Sequence, residues 1–66
     1  MSVAKIIEIS SESSQSFEDA IAKGITKASE SLDGIRSAWI AEQKVMVDEG
    51  AIRSYRVVMR VSFVLS

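Results

Sequence analysis

The chain contains no cysteine and no histidine, which removes disulfides and the usual nitrogen and sulfur ligands of zinc. It also has no histidine or cysteine to act as general base or nucleophile, and no glycine-rich loop of the phosphate-cradling kind. Many serines are present, but none has an evident base in a recognisable arrangement, so the expectation is a protein that is not an enzyme. Acids and bases nearly balance, for a net charge of −1, and they are spread along the sequence. Without a basic cluster to neutralise phosphates, nucleic acid is not an expected partner. The start, Met1-Ser2-Val3-Ala4-Lys5, lacks the long apolar run of a signal peptide or membrane span. The expected setting is therefore cytoplasmic, away from membranes.

What remains is 66 residues, of which 47% are apolar. That length makes one domain, 1–66, with no room for a second core. So short a chain buries only about 60% of its unfolded surface, so a monomer is marginal. With disulfides and zinc excluded, the available supports are self-association or an ion held by oxygen ligands. Nearly half the residues being apolar favours association, because one small interior cannot hide them.

Lys5-Ile6-Ile7-Glu8-Ile9 is β-branched and reads as a first strand, with the polar stretch Ser10 to Gln15 as its exit loop. Phe17, Ala20, Ile21, Gly24, Ile25, Ala28 and Leu32 then recur at spacings of three and four, one face of an α-helix. Ser16 suits the N-cap, and Glu18 and Asp19 follow in the first turn, where the helix dipole favours acids. Asp33-Gly34 supplies a stop, with glycine free to take the left-handed C′ conformation. Gly24 on the apolar stripe costs up to about 1 kcal/mol against alanine, and a close approach of helix to sheet would offset it.

Ile35 to Val47 reads as a second strand, with Ser37, Trp39, Ala41, Gln43, Val45 and Val47 sharing one face. Asp48-Glu49-Gly50-Ala51 is a hairpin turn. Ile52 to Leu65 is the third strand, whose Tyr55, Val57, Met59, Val61, Phe63 and Leu65 cover the helix. The order predicts an α+β fold, β-α-β-β, with a short antiparallel sheet and one helix on one of its faces. The other face should expose some of Trp39, Val45, Val47, Val58 and Val64, so association is a requirement of the pattern.

Several segments together resemble the dodecin family: Lys5-Ile6-Ile7-Glu8-Ile9, Ser16-Phe17-Glu18-Asp19-Ala20 and Tyr55-Arg56-Val57-Val58-Met59-Arg60-Val61-Ser62-Phe63. The resemblance covers almost the whole chain. It implies a three-stranded sheet half-wrapping the helix, and a hollow homo-dodecamer as the working assembly. It further implies a flavin such as riboflavin or FMN, bound by stacking on a tryptophan of the second strand and by a glutamine of the third. Gap-free alignment puts Ser37 at that tryptophan position and Arg56 at that glutamine position, with Trp39 two residues further on. The expected flavin contacts are thus Trp39 for stacking between subunits and Ser37, Gln43 and Arg56 at the edge, with storage of the ring as the function.

The pairs Ile35-Arg36, Glu42-Gln43 and Tyr55-Arg56 also resemble a calcium-binding dodecin subgroup. The alternative it implies is a flavin-free dodecamer holding calcium or another divalent cation at subunit interfaces. Asp48 and Glu49 are adjacent carboxylates in a turn, too few alone for a cation that wants several oxygen ligands. Arg56 and Arg60 share a strand face and could pair with an anionic ligand group such as a flavin phosphate; the competing expectation is ion pairing with Glu42 or Asp48 of another subunit, or simple solvation. For Trp39 it is plain interface packing.

Overall fold

Helix α1, Phe17–Ser31, starts where its capping chemistry predicts. Ser16 is extended (φ −169°), and its Oγ accepts the N–H of Asp19 at 3.0 Å, satisfying one of the donors that a first turn leaves unpaired. The structure is a computed structural model that describes residues 3–65; Met1, Ser2 and Ser66 lie outside the described residues. The helix ends differently from expectation. Leu32 leaves it in an extended conformation, and the left-handed glycine, Gly34 (φ +75°), comes one position beyond C′. There its carbonyl accepts the N–H of Val64 at 3.1 Å, tying the entry of the second strand to the end of the third.

Three strands, β1 (Ala4–Ser13), β2 (Ile35–Asp48) and β3 (Ala51–Val64), form one antiparallel sheet in the order β1-β3-β2. The β-α-β-β order and the single helix are as expected. β1 is longer than predicted, running through Ser13 and consuming most of the supposed exit loop. The reason is that Ser11 and Ser13 continue the inward alternation of Ile7 and Ile9, opposite Val57 and Tyr55 of β3. Ser13 is buried, but its hydroxyl is fully used. Its Oγ accepts the N–H of Gln15 at 2.9 Å and donates to Asp19 Oδ2 at 2.6 Å. A buried polar group satisfied in this way carries little penalty.

Ala20, Val57, Met59 and Val61 are completely buried, with Ile9, Phe17, Ile21 and Ile25 packed around this centre. Phe17 meets Tyr55 edge-on, ring centroids 5.1 Å apart. Gly24 is where the helix presses closest: a Cβ there would stand 2.6 Å from Met59 Cε and 3.1 Å from Ser11 Cβ. Helix α1 lies over β1 and β3 and leaves β2 exposed along most of its length.

The β2–β3 hairpin outruns the rest of the molecule. β1 ends opposite Tyr55, so residues 46–54 form an arm with no third strand beside it. At its tip Glu49 (φ +51°) and Gly50 (φ +79°) are both left-handed, as a two-residue turn of type I′ requires, so a glutamate shares a conformation expected of glycine alone. The arm makes the chain extended, at 51 × 19 × 13 Å. Its radius of gyration is 13.6 Å, where a self-contained domain of this length has about 11 Å. Its surface of 4710 Å² likewise exceeds the roughly 4100 Å² of a compact chain of its mass.

Candidate functional site

The open face of the sheet carries the residues that alternate away from α1. From β1 these include Ile6, Glu8, Ser10 and Glu12; from β3, Ser62, Arg60, Val58 and Arg56; from β2, Ser37, Trp39, Glu42 and Lys44. Residues directly opposed in an antiparallel pair point to the same side, so three cross-strand rows follow: Glu8-Arg60-Trp39, Ser10-Val58-Glu42 and Glu12-Arg56-Lys44.

This face is more charged than the alternation predicted, and its composition is corrected by two β-bulges in β2. The register slips by one residue at Arg36 and again at Ala41. Each bulge reverses which side the following residues face. Beyond Ala41, therefore, Gln43 and Val45 stand opposite Val57 and Tyr55, on the helix side of the sheet, while Glu42 and Lys44 join Trp39. Of the predicted flavin contacts, the structure brings Ser37, Trp39 and Arg56 to one face and puts Gln43 on the other. Arg56 and Arg60 are four residues apart, about 13 Å along a strand, so Arg56 is not beside Trp39 within one chain.

The arginines are engaged inside their own chain. Arg56 Nε donates to Glu12 Oε1 at 2.8 Å, and Ser54, itself buried, donates from Oγ to Glu12 Oε2 at 3.1 Å. Arg60 Nε reaches Glu8 Oε2 at 3.3 Å. Within the chain, Glu42 meets Lys44 (3.7 Å) and Asp48 meets Arg53 (3.0 Å). Glu8, Glu12 and Ser54 were not anticipated. The signal was the alternation Glu8-Ser10-Glu12 against Ile7-Ile9, visible once β1 is allowed to run past Ile9. Trp39 stays 42% exposed, a flat aromatic surface beside the Arg60–Glu8 pair.

Two carboxylates are held below their ordinary range. Hydrogen bonds from Arg56 and then Ser54 lower Glu12 from its usual 4.5, and bonds from Ser13 and then Lys23 lower Asp19 from its usual 3.8. A carboxylate that is more acidic when folded adds stability above its unfolded pKa and loses it as pH falls through the folded value. The expected melting temperature is therefore level near neutrality and declines as acid protonates first the unfolded and then the folded carboxylates. Ser13→Ala should flatten that decline, measured by circular dichroism melts across the acid range; an unchanged slope would remove Asp19 from the account.

Among the described residues no three Asp or Glu side chains come together to hold a metal ion. Glu8 and Glu12 are paired with arginines on the sheet, while the arm's turn carries two adjacent acids, Asp48, paired with Arg53, and Glu49, which makes no ion pair among the described residues. On the other side of the molecule, between α1 and the outer edge of β1, runs an open groove of about 680 Å³. Ile7, Ile9, Ala28 and Leu32 contribute to its apolar lining, and Lys23 and Lys27 are the charged residues on it. Among the described residues, no helix is long and apolar enough to cross a membrane.

Against known proteins, the dodecin family model matches residues 3–66. The chain is 41% identical over 63 residues to the calcium dodecin of Mycobacterium tuberculosis, covering 96% of this chain and 89% of that protein. A crystal structure of a calcium dodecin from the same organism, described as having a novel calcium-binding site, superposes with a TM-score of 0.81 at 42% identity, over 92% of this chain and 87% of the other. A mutant of the Thermus thermophilus dodecin matches with a TM-score of 0.93 at 26% identity, over 100% of this chain and 98% of its own. The Streptomyces davaonensis dodecin matches at 0.92, also at 26% identity, over 98% and 96%.

Proposed function

The chain belongs to the dodecin family, and from that premise we propose that it is a non-enzymatic binding protein, a hollow dodecamer of its own copies, that holds calcium between subunits. The observation that carries the reading is the Glu12–Arg56–Ser54 cluster. It occupies the position where flavin-binding relatives are expected to offer a glutamine, and Ser37 stands where they offer tryptophan. Both differences weigh against flavin. The likeness to a protein named calcium dodecin weighs in the same direction.

The donor chemistry fits a hard cation. With no histidine or cysteine, every side chain able to ligate strongly does so through oxygen. Calcium takes six to eight oxygens, more than one chain brings together, so carboxylates of several copies would share the ion. Asp48 and Glu49 at the tip of the arm, with Glu42 on the exposed β2, are the donors we assign to it. Calcium bound only by the assembled protein would raise its stability by mass action, about 2.7 kcal/mol when the free ion is a hundredfold above Kd.

The test is a thermal melt with light scattering after dialysis against chelator, repeated with calcium and with magnesium. Calcium should restore a higher melting temperature, and the Asp48→Asn, Glu49→Gln variant should not respond. A melt and mass indifferent to calcium would dispose of the cation reading.

One observation favours a second reading, flavin storage: Trp39 is exposed on the open face, beside Arg60 and Ser37. Two copies across a two-fold axis would sandwich a flavin ring between their Trp39 side chains, with Ser37 and, from a neighbouring copy, Arg56 at its edge. Saturable quenching of Trp39 fluorescence by riboflavin in the same samples would favour this reading over calcium.

A further inference from the structure

We propose that Asp33 is a site of covalent self-modification: its carboxyl group closes on the backbone nitrogen of Gly34 and converts the link between α1 and β2 into an isoaspartyl bond. Residues 32–34 lie in neither helix nor strand, and Asp33 and Gly34 are both exposed. Among the described residues the Asp33 carboxyl makes no hydrogen bond or ion pair. The Gly34 N–H likewise meets no backbone acceptor among them; the carbonyl of Gly34, not its nitrogen, is engaged, by Val64. Gly34 has no Cβ to stand between the carboxyl and that nitrogen. A free carboxyl, a free amide nitrogen and an unhindered approach are what five-membered ring closure requires. The nitrogen attacks Cγ, its proton and the carboxyl hydroxyl leave together as water, and a succinimide joins residues 33 and 34. Water then opens the ring. At the Cγ–N bond it restores aspartate; at the original peptide bond it routes the main chain through Cβ and Cγ and frees the α-carboxyl as the side group. One water leaves and one enters, so the mass is unchanged.

The other aspartates of the chain, Asp19 and Asp48, lack these conditions. Asp19 is held by Ser13 Oγ at 2.6 Å and by Lys23 at 3.0 Å, and the N–H that follows it, that of Ala20, donates to Ser16 O at 3.1 Å. Asp48 ends β2, is paired with Arg53 at 3.0 Å and precedes a residue with a long side chain, Glu49. There is no asparagine, so deamidation cannot create the same linkage elsewhere. The added backbone carbon falls where the chain has little slack. A Cβ on Gly34 would stand 3.5 Å from the Val64 carbonyl oxygen, and the Gly34 carbonyl accepts the Val64 N–H at 3.1 Å. Lengthening the chain just before Gly34 displaces that carbonyl and loosens the first pair of the β2–β3 ladder, Ile35 with Phe63. The strand it loosens is the one that carries Ser37 and Trp39.

The test is to age the native protein warm at neutral pH for weeks, digest samples with trypsin and separate the peptides by reversed phase. Electron-transfer fragmentation then distinguishes the two linkages at equal mass. Trypsin puts the aspartates on separate peptides, 6–23, 28–36 and 45–53. The expected result is an isoaspartyl form that rises steadily in 28–36, at least about tenfold faster than in 6–23 or 45–53, because the open link between α1 and β2 needs no unfolding to react. Asp33→Glu, which would need a six-membered ring, should show none and keep its melting temperature on ageing, while the aged parent develops a lower-melting fraction. An unchanged 28–36 in the folded protein, alongside a synthetic 28–36 peptide that isomerises, would overturn the proposal. Equal accumulation in all three peptides would overturn it too, by placing the reaction in unfolded chains. An aged parent rich in isoaspartate that melts as before would overturn the loosening of β2.

Discussion

Replacing Gly24 by leucine is expected to leave the chain unfolded at 25 °C, and replacing it by alanine is expected to destabilise it despite alanine's better helix propensity. Alanine gains up to about 1 kcal/mol in the helix. Against that, its Cβ would stand 2.6 Å from Met59 Cε and 3.1 Å from Ser11 Cβ. Met59 Cε ends a flexible side chain, but that side chain is completely buried, so to give way it must repack against its neighbours. Ser11 Cβ is fixed to the β1 backbone. Overpacking of this kind costs typically 1–3 kcal/mol, so the balance for Gly24→Ala is a net loss of about 1 kcal/mol, or 4–8 °C in a domain this small. Leucine adds three more carbons into the same space, and the helix must then lift from β1 and β3. Circular dichroism melts at one protein concentration decide the matter. An alanine variant as stable as the parent would mean that α1 does not press this closely on the sheet.

Met59→Ala is the second substitution expected to reach the limit of folding. Met59 is among the largest side chains that are completely buried, at the contact of α1 with the central strand. Truncating such a residue costs about 2–5 kcal/mol, and a chain of 66 residues has only about 3–10 kcal/mol in total. Met59→Leu, which conserves volume, should cost under about 1.5 kcal/mol. Because Met59 Cε is the atom nearest a Cβ at position 24, the two sites should couple. Gly24→Ala in the Met59→Ala background should be close to neutral, or stabilising, where alone it is harmful. Urea titrations of the four proteins in that cycle would measure the coupling; strictly additive losses would show that the two side chains do not share the space.

The parts of the fold legible in the sequence are those with local signals. The spacing of Phe17 through Leu32 located α1, Ser16 announced its start, and the alternation of Tyr55 through Phe63 located the face of β3 that covers it. Three features depended on information that no short window holds. Ser11 and Ser13 look like loop residues because serine competes for backbone hydrogen bonds. Their strand character depends on Val57, Tyr55 and Asp19, the last six residues beyond Ser13. The bulge at Ala41 leaves no side-chain signature, yet it carries Gln43 away from the face of Trp39. The Glu12–Arg56 pair joins residues 44 apart and appears only once the β1–β3 register is known. The candidate site was therefore legible in its residues and not in its geometry, since every correction to it comes from strand register.

The strand order β1-β3-β2 also orders events in time. β3, through which both other strands are joined, is the last of the four elements to leave the ribosome. Until it emerges, β1, α1 and β2 have no sheet to complete, and the apolar stripe of the helix has nothing to cover it. Folding must then begin from the far end of the chain. The β2–β3 hairpin, closed by a two-residue turn, can form within microseconds, whereas β1 must return across the whole intervening sequence to pair with β3. Such long-range pairing slows folding and prolongs the exposure of unpaired edges. For nascent chains, the vulnerable interval is the one in which β1 waits for its partner.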